Sequence, residues 1–392
     1  MTQAAVLQKP AFQTGASDKE KAQAFEAVLE EIRQRKVEFD QKAHVPKDMI
    51  ARLKSIGIYR AGTPQCFGGA GTPPADFLRM IERIAEADGS TGWVASFGSA
   101  NVYLGALPKA TQAKLYANGP DVAFGAALFP VQQAQRAEGG WTVNGTWKFG
   151  SGCMGADWFG VGIGFETEGP YKGKPRSALF SPDKIEIVEN WNVLGLTGTG
   201  SHDIRVNNQF IADEWTFIRG GAPTIDEPLY RYPTIAYAAQ VLAVVNLGVA
   251  RAALNVVKDL GMGTGVTGAP KLADRPYFRT EVAKAEAALR SCRAFFYETT
   301  EEVWASIMAG NPVTPDQVSL LRLASAHISH EGAKVVQSAY MLAGTGAIYD
   351  DHPLQWQLRD AMVVVQHAFN GPGIYDGAGA VMLGVPPMPG YL

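Results

Sequence analysis

Cysteine is scarce and scattered: Cys66, Cys153 and Cys292 are the only three in 392 residues. No CxxC pair exists, and an odd set at wide spacing reads as free, buried thiols in a reducing compartment rather than a disulfide framework. Histidine is also sparse. The six (His44, His202, His327, His330, His352, His367) include no HExxH, which argues against zinc, and no metal is expected. His327 and His330 stand one helical turn apart, as a metal pair could, but no ExxH accompanies them, so packing or surface is the expected role. Cys66–Gly71 lacks the GK[ST] ending of a phosphate loop, and no GxGxxG opens a βαβ unit. Charge of neither sign dominates. A net charge of −3 gives no electrostatic case for nucleic acid or an anionic membrane. No stretch reaches the roughly 20 uninterrupted apolar residues of a spanning helix. The start, MTQAAVLQKPAFQTG, lacks the apolar core of a signal peptide, so the expected location is cytoplasmic.

What is present is periodicity of two kinds. Residues 1–17 read as a frayed tail. From Asp18 to Gln41, Ala24, Phe25, Val28, Leu29 and Ile32 recur at helical spacing. Pro46–Ile56 reads as a second helix, ended by Gly57. Pro73–Ala87 is amphipathic through Phe77, Met80, Ile81 and Ile84. Asp88-Gly89-Ser90 breaks it, and Ser90 is the candidate cap of a nearly uncharged helix over Thr91–Leu104, which must be buried. Its Ser96, Ser99 and Asn101 must find partners or line a cavity. At Asp121 the period shortens to that of strands, with Val143-Asn144-Gly145-Thr146 as a hairpin turn. From Tyr232 the chain is helical again: one long helix over Tyr232–Leu260, a flexible loop over Gly261–Pro270, then helices over Pro276–Ala309 and Pro315–Leu342. The expected fold class is α+β multidomain. It comprises an N-terminal helical domain (1–118), a central antiparallel β domain (119–222) and a C-terminal four-helix bundle (223–392).

The densest stretch of chemistry is Gly344–Asn370. The Gly344-Thr345-Gly346 turn lets backbone amides approach a polar or anionic group. Asp350-Asp351, a helix start at Pro353, and Arg359-Asp360 follow. His367 lies about two helical turns beyond Arg359, so the two are expected on one face of a helix. This is the pattern of a buried cofactor site capped by one titratable group.

Six segments carry a family resemblance in a fixed order: Ile84–Ser90, Asn144–Gly152, Leu194–Ser201, Gly248–Arg251, Gly344–Gly346 and Arg359-Asp360. Together they resemble the acyl-CoA dehydrogenase superfamily over about residues 20–385. The resemblance implies a helical, β, helical-bundle fold. A dehydrogenase of this family needs a carboxylate to take the substrate's α-proton. The matching position here is Ala368, and the alternative position early in the first bundle helix lacks one as well, so α,β-dehydrogenation has no base. Phe149-Gly150-Ser151-Gly152, with Asp351-His352-Pro353-Leu354-Gln355, Arg359-Asp360 and His367, is instead similar to the two-component flavin-dependent monooxygenases. That branch includes hydroxyphenylacetate, dibenzothiophene, steroid-ring and indole oxygenases.

This likeness implies an oxygenase component that receives reduced FMN or FAD from a separate flavin reductase. It implies addition of O2 at flavin C4a to give a hydroperoxide, and oxygenation of an aromatic or heteroaromatic small molecule. It also implies a homotetramer with flavin near subunit contacts. Ser151 becomes the candidate partner of flavin N5, and His367 the candidate for acid–base work or for steadying the peroxide. Relatives often carry a second histidine near the position of Gly98-Ser99. None is present here, so Asn101 stands as a candidate to contact substrate. Phe97, Asn101, Phe124 and His367 are expected around the substrate. Phe149, Ser151, Gly152, Arg279, Gly344, Thr345, Gly346 and Arg359 are expected around the flavin. Plainer roles remain open: a satisfied core amide for Asn101, a solvated helix face for Arg279 with Lys271 and Arg275, an ion pair for Arg359-Asp360, and β-domain core for Trp147, Phe149 and Trp158. The competing functions are a dehydrogenase with a relocated base and a non-catalytic relative that keeps the fold.

Overall fold

The helical spacing that begins at Asp18 becomes α1 (Asp18–Gln41), opened by a capping box between Ser17 and Glu20. The computed structural model describes residues 17–263 and 270–392. The expected tail and leader reading, and most of the expected 261–270 loop, therefore lie outside the described residues. Helix α2 (Lys47–Ser55) stops where Gly57 takes a positive φ of 85°. Helix α3 (Pro74–Ala87) buries Phe77, Ile81 and Ile84. Asp88 then turns extended, and it, not Ser90, caps α4 (Gly89–Ser96): its carboxylate accepts the Thr91 N–H at 2.7 Å. The single helix expected to Leu104 is divided. A 3₁₀ turn over Phe97–Ala100 separates α4 from α5 (Asn101–Leu104). The Ser96 and Ser99 hydroxyls donate to carbonyls three residues back and compete with the α-helical pattern there. Helix α6 (Lys109–Leu115) closes the first helical section.

The strands are β1 (Phe124–Ala127), β2 (Gln135–Ala137), β3 (Gly140–Trp147), β4 (Trp158–Phe165), β5 (Pro175–Phe180), β6 (Glu186–Val188), β7 (Asp203–Ala212) and β8 (Thr216–Ile218). They form two sheets, β1-β4-β5-β8 and β2-β3-β7-β6. The expectation of an antiparallel domain needs one correction: β1 and β4 run parallel. The β2–β3 hairpin between them belongs to the other sheet, so the chain re-enters the first sheet from its original end. The expected turn at Asn144-Gly145 is also displaced. Both residues lie inside β3 at a bulge against β7, opposite Asn208 with its φ of 47°. The hairpin turns at Glu138-Gly139 instead. Asn-Gly serves a bulge as readily as a turn, because both need a residue that tolerates unusual φ. Val143, Trp147, Phe159, Val161, Ile204 and Val206 fill the space between the sheets.

The expected long helix from Tyr232 is two, α7 (Thr234–Ala243) and α8 (Val245–Met262). Thr234–Met262 is long and apolar enough for a membrane span through an 18-residue window of mean hydropathy 1.6, but 78% of that window is buried inside the protein, so its apolar character is that of a core helix. Helices α9 (Pro276–Met308), α10 (Pro315–Ala343) and α11 (Pro353–Val364) join α8 in a bundle, with α12 (Gly373–Met382) against α10. One core runs from Val28 of α1 through α3 and α8 to Val364 of α11, so the first helices and the bundle share it. Gly248 sets the closest approach of α3 and α8: a methyl there would overlap the Glu82 carbonyl. Gly248→Ala is therefore expected to destabilise by roughly 1–3 kcal/mol. Gly379→Ala, whose methyl meets open space on α12, is expected to be neutral or slightly stabilising. Urea unfolding midpoints of the two variants check this.

Candidate active site

Strand β3 ends at Trp147, which is core: its ring is fully buried and its N–H donates to the Gly162 carbonyl at 2.8 Å. Beyond it, Phe149 (φ 62°) and Gly152 (φ 71°) turn the chain sharply, and Ser151 between them is 6% exposed. The Ser151 hydroxyl has two partners, Trp93 of α4 and Ser201. Trp93 Nε1 donates to Ser151 Oγ at 3.1 Å, and the two serine oxygens are 2.7 Å apart. Ser201 continues to Thr199 at 2.8 Å, and Thr199 donates to the Leu196 carbonyl at 2.8 Å. Each hydroxyl has one proton, which fixes the direction of the chain. Thr199 spends its proton on Leu196, Ser201 must donate to Thr199, and Ser151 must donate to Ser201. Ser151 therefore keeps one free lone pair and no free proton.

His367 is not on a helix face. Helix α11 stops at Val364, and His367 caps a 3₁₀ turn over Ala368–Asn370. Asn370 forces the stop: its side chain donates to the Val364 carbonyl at 3.1 Å, and its own carbonyl meets His330 Nε2 at 2.8 Å. The expected shared face with Arg359 is thereby lost. Instead the His367 ring centroid lies 5.7 Å from Trp93 and 5.1 Å from Phe369. Its Nδ1 accepts the Phe369 N–H at 3.2 Å, so the proton is on Nε2. Burial first, and the positive charge of Arg219 second, push its pKa down to about 4. The imidazole is neutral at ordinary pH. Ser151, Trp93 and His367 thus form one connected wall between the β sheets and the bundle.

A model described as acyl-CoA dehydrogenase, N-terminal domain, matches residues 18–114, and one described as acyl-CoA dehydrogenase, C-terminal domain, matches 240–372. An indole-3-acetate monooxygenase of Pseudomonas putida is 50% identical over 372 residues, 94% of this chain and 95% of its own. The chain belongs to the flavin-dependent monooxygenase branch of the acyl-CoA dehydrogenase family. A flavin-dependent monooxygenase oxygenase subunit, HsaA of Rhodococcus jostii (strain RHA1), is 27% identical over 89% of this chain and 94% of its own. The crystal structure of 3-HSA hydroxylase from Rhodococcus sp. RHA1 aligns with a TM-score of 0.87 at 25% identity, covering 95% of this chain and 99% of that one.

Within this monooxygenase fold the remaining candidates separate. Asn101 is a core amide: it is fully buried, and its Nδ2 donates to the Tyr59 and Val122 carbonyls at 2.7 and 3.0 Å. Its Oδ1 is buried with no donor among the described residues. Phe124 is buried in a cluster with Leu104, Leu115 and Leu179, and half-buried Phe97 packs against the same cluster. Phe149 is 62% exposed and edges Trp191 at 6.2 Å, so it is free to face a ligand. The Trp191 backbone is itself fixed by His202, whose Nδ1 accepts the Asn190 and Trp191 N–H groups at 3.0 Å. Gly152 donates to the Thr199 carbonyl. Trp158 stacks on Trp215 at 4.8 Å. Gly344, Thr345, Gly346 and Arg279 are exposed, and the Arg279 guanidinium donates to the Ala273 carbonyl at 2.9 Å. Ala368 is exposed and its position offers no base. Sequence reading missed Trp93 and Arg219. An indole inside an uncharged helix needs an acceptor for its N–H, which was the available signal for Trp93. Arg219 had none.

The Arg359–Asp360 ion pair that the sequence left open does not form among the described residues. Asp360 turns away to accept the Leu196 N–H at 2.6 Å, while Arg359 Nε is left without an acceptor. Asp360 shares a cavity of about 20 Å³ with Asp88, Asp40 and Lys36. Burial, then the Asp88 charge, raises its pKa from 3.8 to about 7. A carboxyl whose folded pKa is raised contributes stability below its unfolded pKa and loses it as pH climbs through the folded value. Asp360→Asn keeps an oxygen for Leu196, so it is expected to gain stability on the parent as pH rises from 3.8 through 7. Denaturant unfolding at several pH values tests the sign.

Proposed function

We propose that this protein is the oxygenase component of a two-component flavin monooxygenase. It places one atom of O2 on an aromatic or heteroaromatic acid of the indole-3-acetate type. The observation that carries this reading is the wall of Ser151, Trp93 and a neutral His367 with no carboxylate base in it. The half-identical indole-3-acetate monooxygenase supports the substrate class. Reduced FMN or FAD, delivered by a separate flavin reductase, supplies the electrons for oxygen activation when bound.

The residues present fit that cofactor. The free lone pair on Ser151 suits the N5–H that only the reduced ring carries, and the exposed Phe149 ring offers a face beside it. We assign Phe149, Ser151 and Gly152 to the flavin ring. Arg279, Arg359 and the Gly344-Thr345-Gly346 turn we assign to its polar tail across subunit contacts of a homotetramer. Exposed Met341, Ile348, Tyr349, Met382 and Leu383 near that turn and the C-terminus support an association surface. We place the protein in the cytoplasm and retain 1–118, 119–222 and 223–392 as its domains.

His367, uncharged and with Nδ1 occupied by the Phe369 N–H, donates its Nε2–H to substrate or transferred oxygen. Trp93 and Phe369 on either side keep water from it. With 18O2, a free flavin reductase and indole-3-acetate, the product is expected to gain one labelled oxygen by mass spectrometry. Reduction of bound oxidised flavin by an acyl-CoA panel, with no labelled product, would overturn the reading. His367→Asn preserves an acceptor for the Phe369 N–H and is expected to lower kcat by roughly 10²–10⁴ while flavin affinity holds. The parent's kcat/KM profile is expected to show no limb from His367 near its ordinary pKa of 6.5.

A further inference from the structure

Arg219 follows β8 and is held by its backbone, whose N–H donates to the Pro175 carbonyl at 3.0 Å. Its guanidinium carbon lies 5.3 Å from the Tyr103 ring centroid and 5.2 Å from that of Phe369. Phe369 is the ring that touches His367, so the guanidinium continues the wall begun at Ser151. Its Nε is buried and has no acceptor. Arg176 on the neighbouring strand makes the contrast. It pairs with Ile218 in register, and its guanidinium is satisfied by Glu166 at 2.7 Å and Thr216 at 2.8 Å. Arg219 has two aromatic faces and, among the described residues, no carboxylate.

A half-buried cation without a counter-ion is costly unless something supplies the charge. Cation–π contact with two rings recovers part of that cost, but it leaves the N–H fork of the guanidinium unused. The unused fork matches a carboxylate, whose two oxygens it binds side by side. Tyr103 is itself anchored, through its hydroxyl to the Thr234 carbonyl at 2.9 Å, so the aromatic sandwich holds the fork in one place. The ring of the substrate proposed for this wall is flat and apolar. The one feature that a neutral arene would leave unanswered is this charge.

We propose that Arg219 is the specificity-determining residue that binds the carboxylate of the substrate, so that the enzyme selects aromatic acids over their neutral counterparts. This rests on the aromatic-acid reading above and names the residue that imposes it. Removing one partner of a desolvated charge pair usually weakens binding by tenfold or far more. The electrostatic demand is for one negative charge, held beside an aromatic body.

The test compares indole-3-acetate with indole-3-acetamide on the parent, Arg219→Gln and Arg219→Lys. Steady-state rates use a free flavin reductase, and binding is measured separately by calorimetry. The parent is expected to favour the acid. Arg219→Gln is expected to raise Kd for the acid by roughly thirtyfold or more and to change Kd for the amide far less. Arg219→Lys is expected to recover part of the acid affinity. Unchanged reduced-flavin affinity and thermal unfolding midpoint serve as the folding control for both variants. An equal loss for acid and amide would overturn the proposal, as would a loss confined to reduced-flavin binding. If the parent oxidises indole-3-acetate and Arg219→Gln leaves its Kd alone, the function stands and the role of Arg219 falls. If the parent ignores indole-3-acetate but turns over 4-hydroxyphenylacetate with the same Arg219 dependence, the indole reading falls and the anchor stands.

Discussion

The structure depends on one chain of hydrogen bonds that gathers four distant parts of the sequence. Asp360 of α11 accepts the Leu196 N–H, and the Leu196 carbonyl receives Thr199. Thr199, Ser201 and Ser151 follow, and Trp93 of α4 closes the line. Leu196 holds a left-handed φ of 53°, and Gly195 before it has no room for a side chain against the Arg359 backbone. The chain is neutral along its hydroxyls, so it escapes salt screening. Each bond contributes only about 1 kcal/mol net, but breaking one leaves a buried group unpaired at greater cost. Register between the bundle, the β sheets and α4 is therefore set by polar contacts with direction, not by the apolar core alone.

The same arrangement sorts charge. The carboxylates near α4 and α11, Asp88 and Asp360, are turned into their own small cavity, where Thr91 and Leu196 occupy them. The wall on the other side holds a neutral imidazole, three aromatic rings and one arginine. A carboxylate base is absent from that wall not only because position 368 is alanine. The acidic residues that remain close are committed elsewhere. This is why the chemistry of the fold shifts from abstracting a carbon-bound proton to protecting and directing oxygen.

Much of this was legible in the chain. Helical and strand periods located most elements, and Ser151 and His367 stood out because their neighbours carried a recognisable order. The errors share a cause. Asn144-Gly145 reads as a turn because sequence shows tolerance of unusual φ, not whether a bulge or a reversal uses it. His367 reads as helical until Asn370, a tertiary partner of His330, ends the helix early. Asn101 looks available in an uncharged helix because its acceptors are backbone carbonyls of residues far away in sequence. Trp93 and Arg219 act through contacts across elements, which no local pattern carries.

Arg219 and His367 are also coupled through charge. The guanidinium is one of the two influences that hold the imidazole neutral, after burial. A bound carboxylate that pairs with Arg219 cancels part of that positive field at His367. The imidazole then becomes more basic while still desolvated by Trp93 and Phe369. Burial remains the larger influence, so the shift is partial, but its direction is set. An anionic substrate would thus raise the proton affinity of the group beside it, whereas a neutral arene would leave His367 as it is. Selection of the acid and readiness to move a proton follow from one electrostatic arrangement, because the cation that recognises the substrate is the same one that holds the histidine in check.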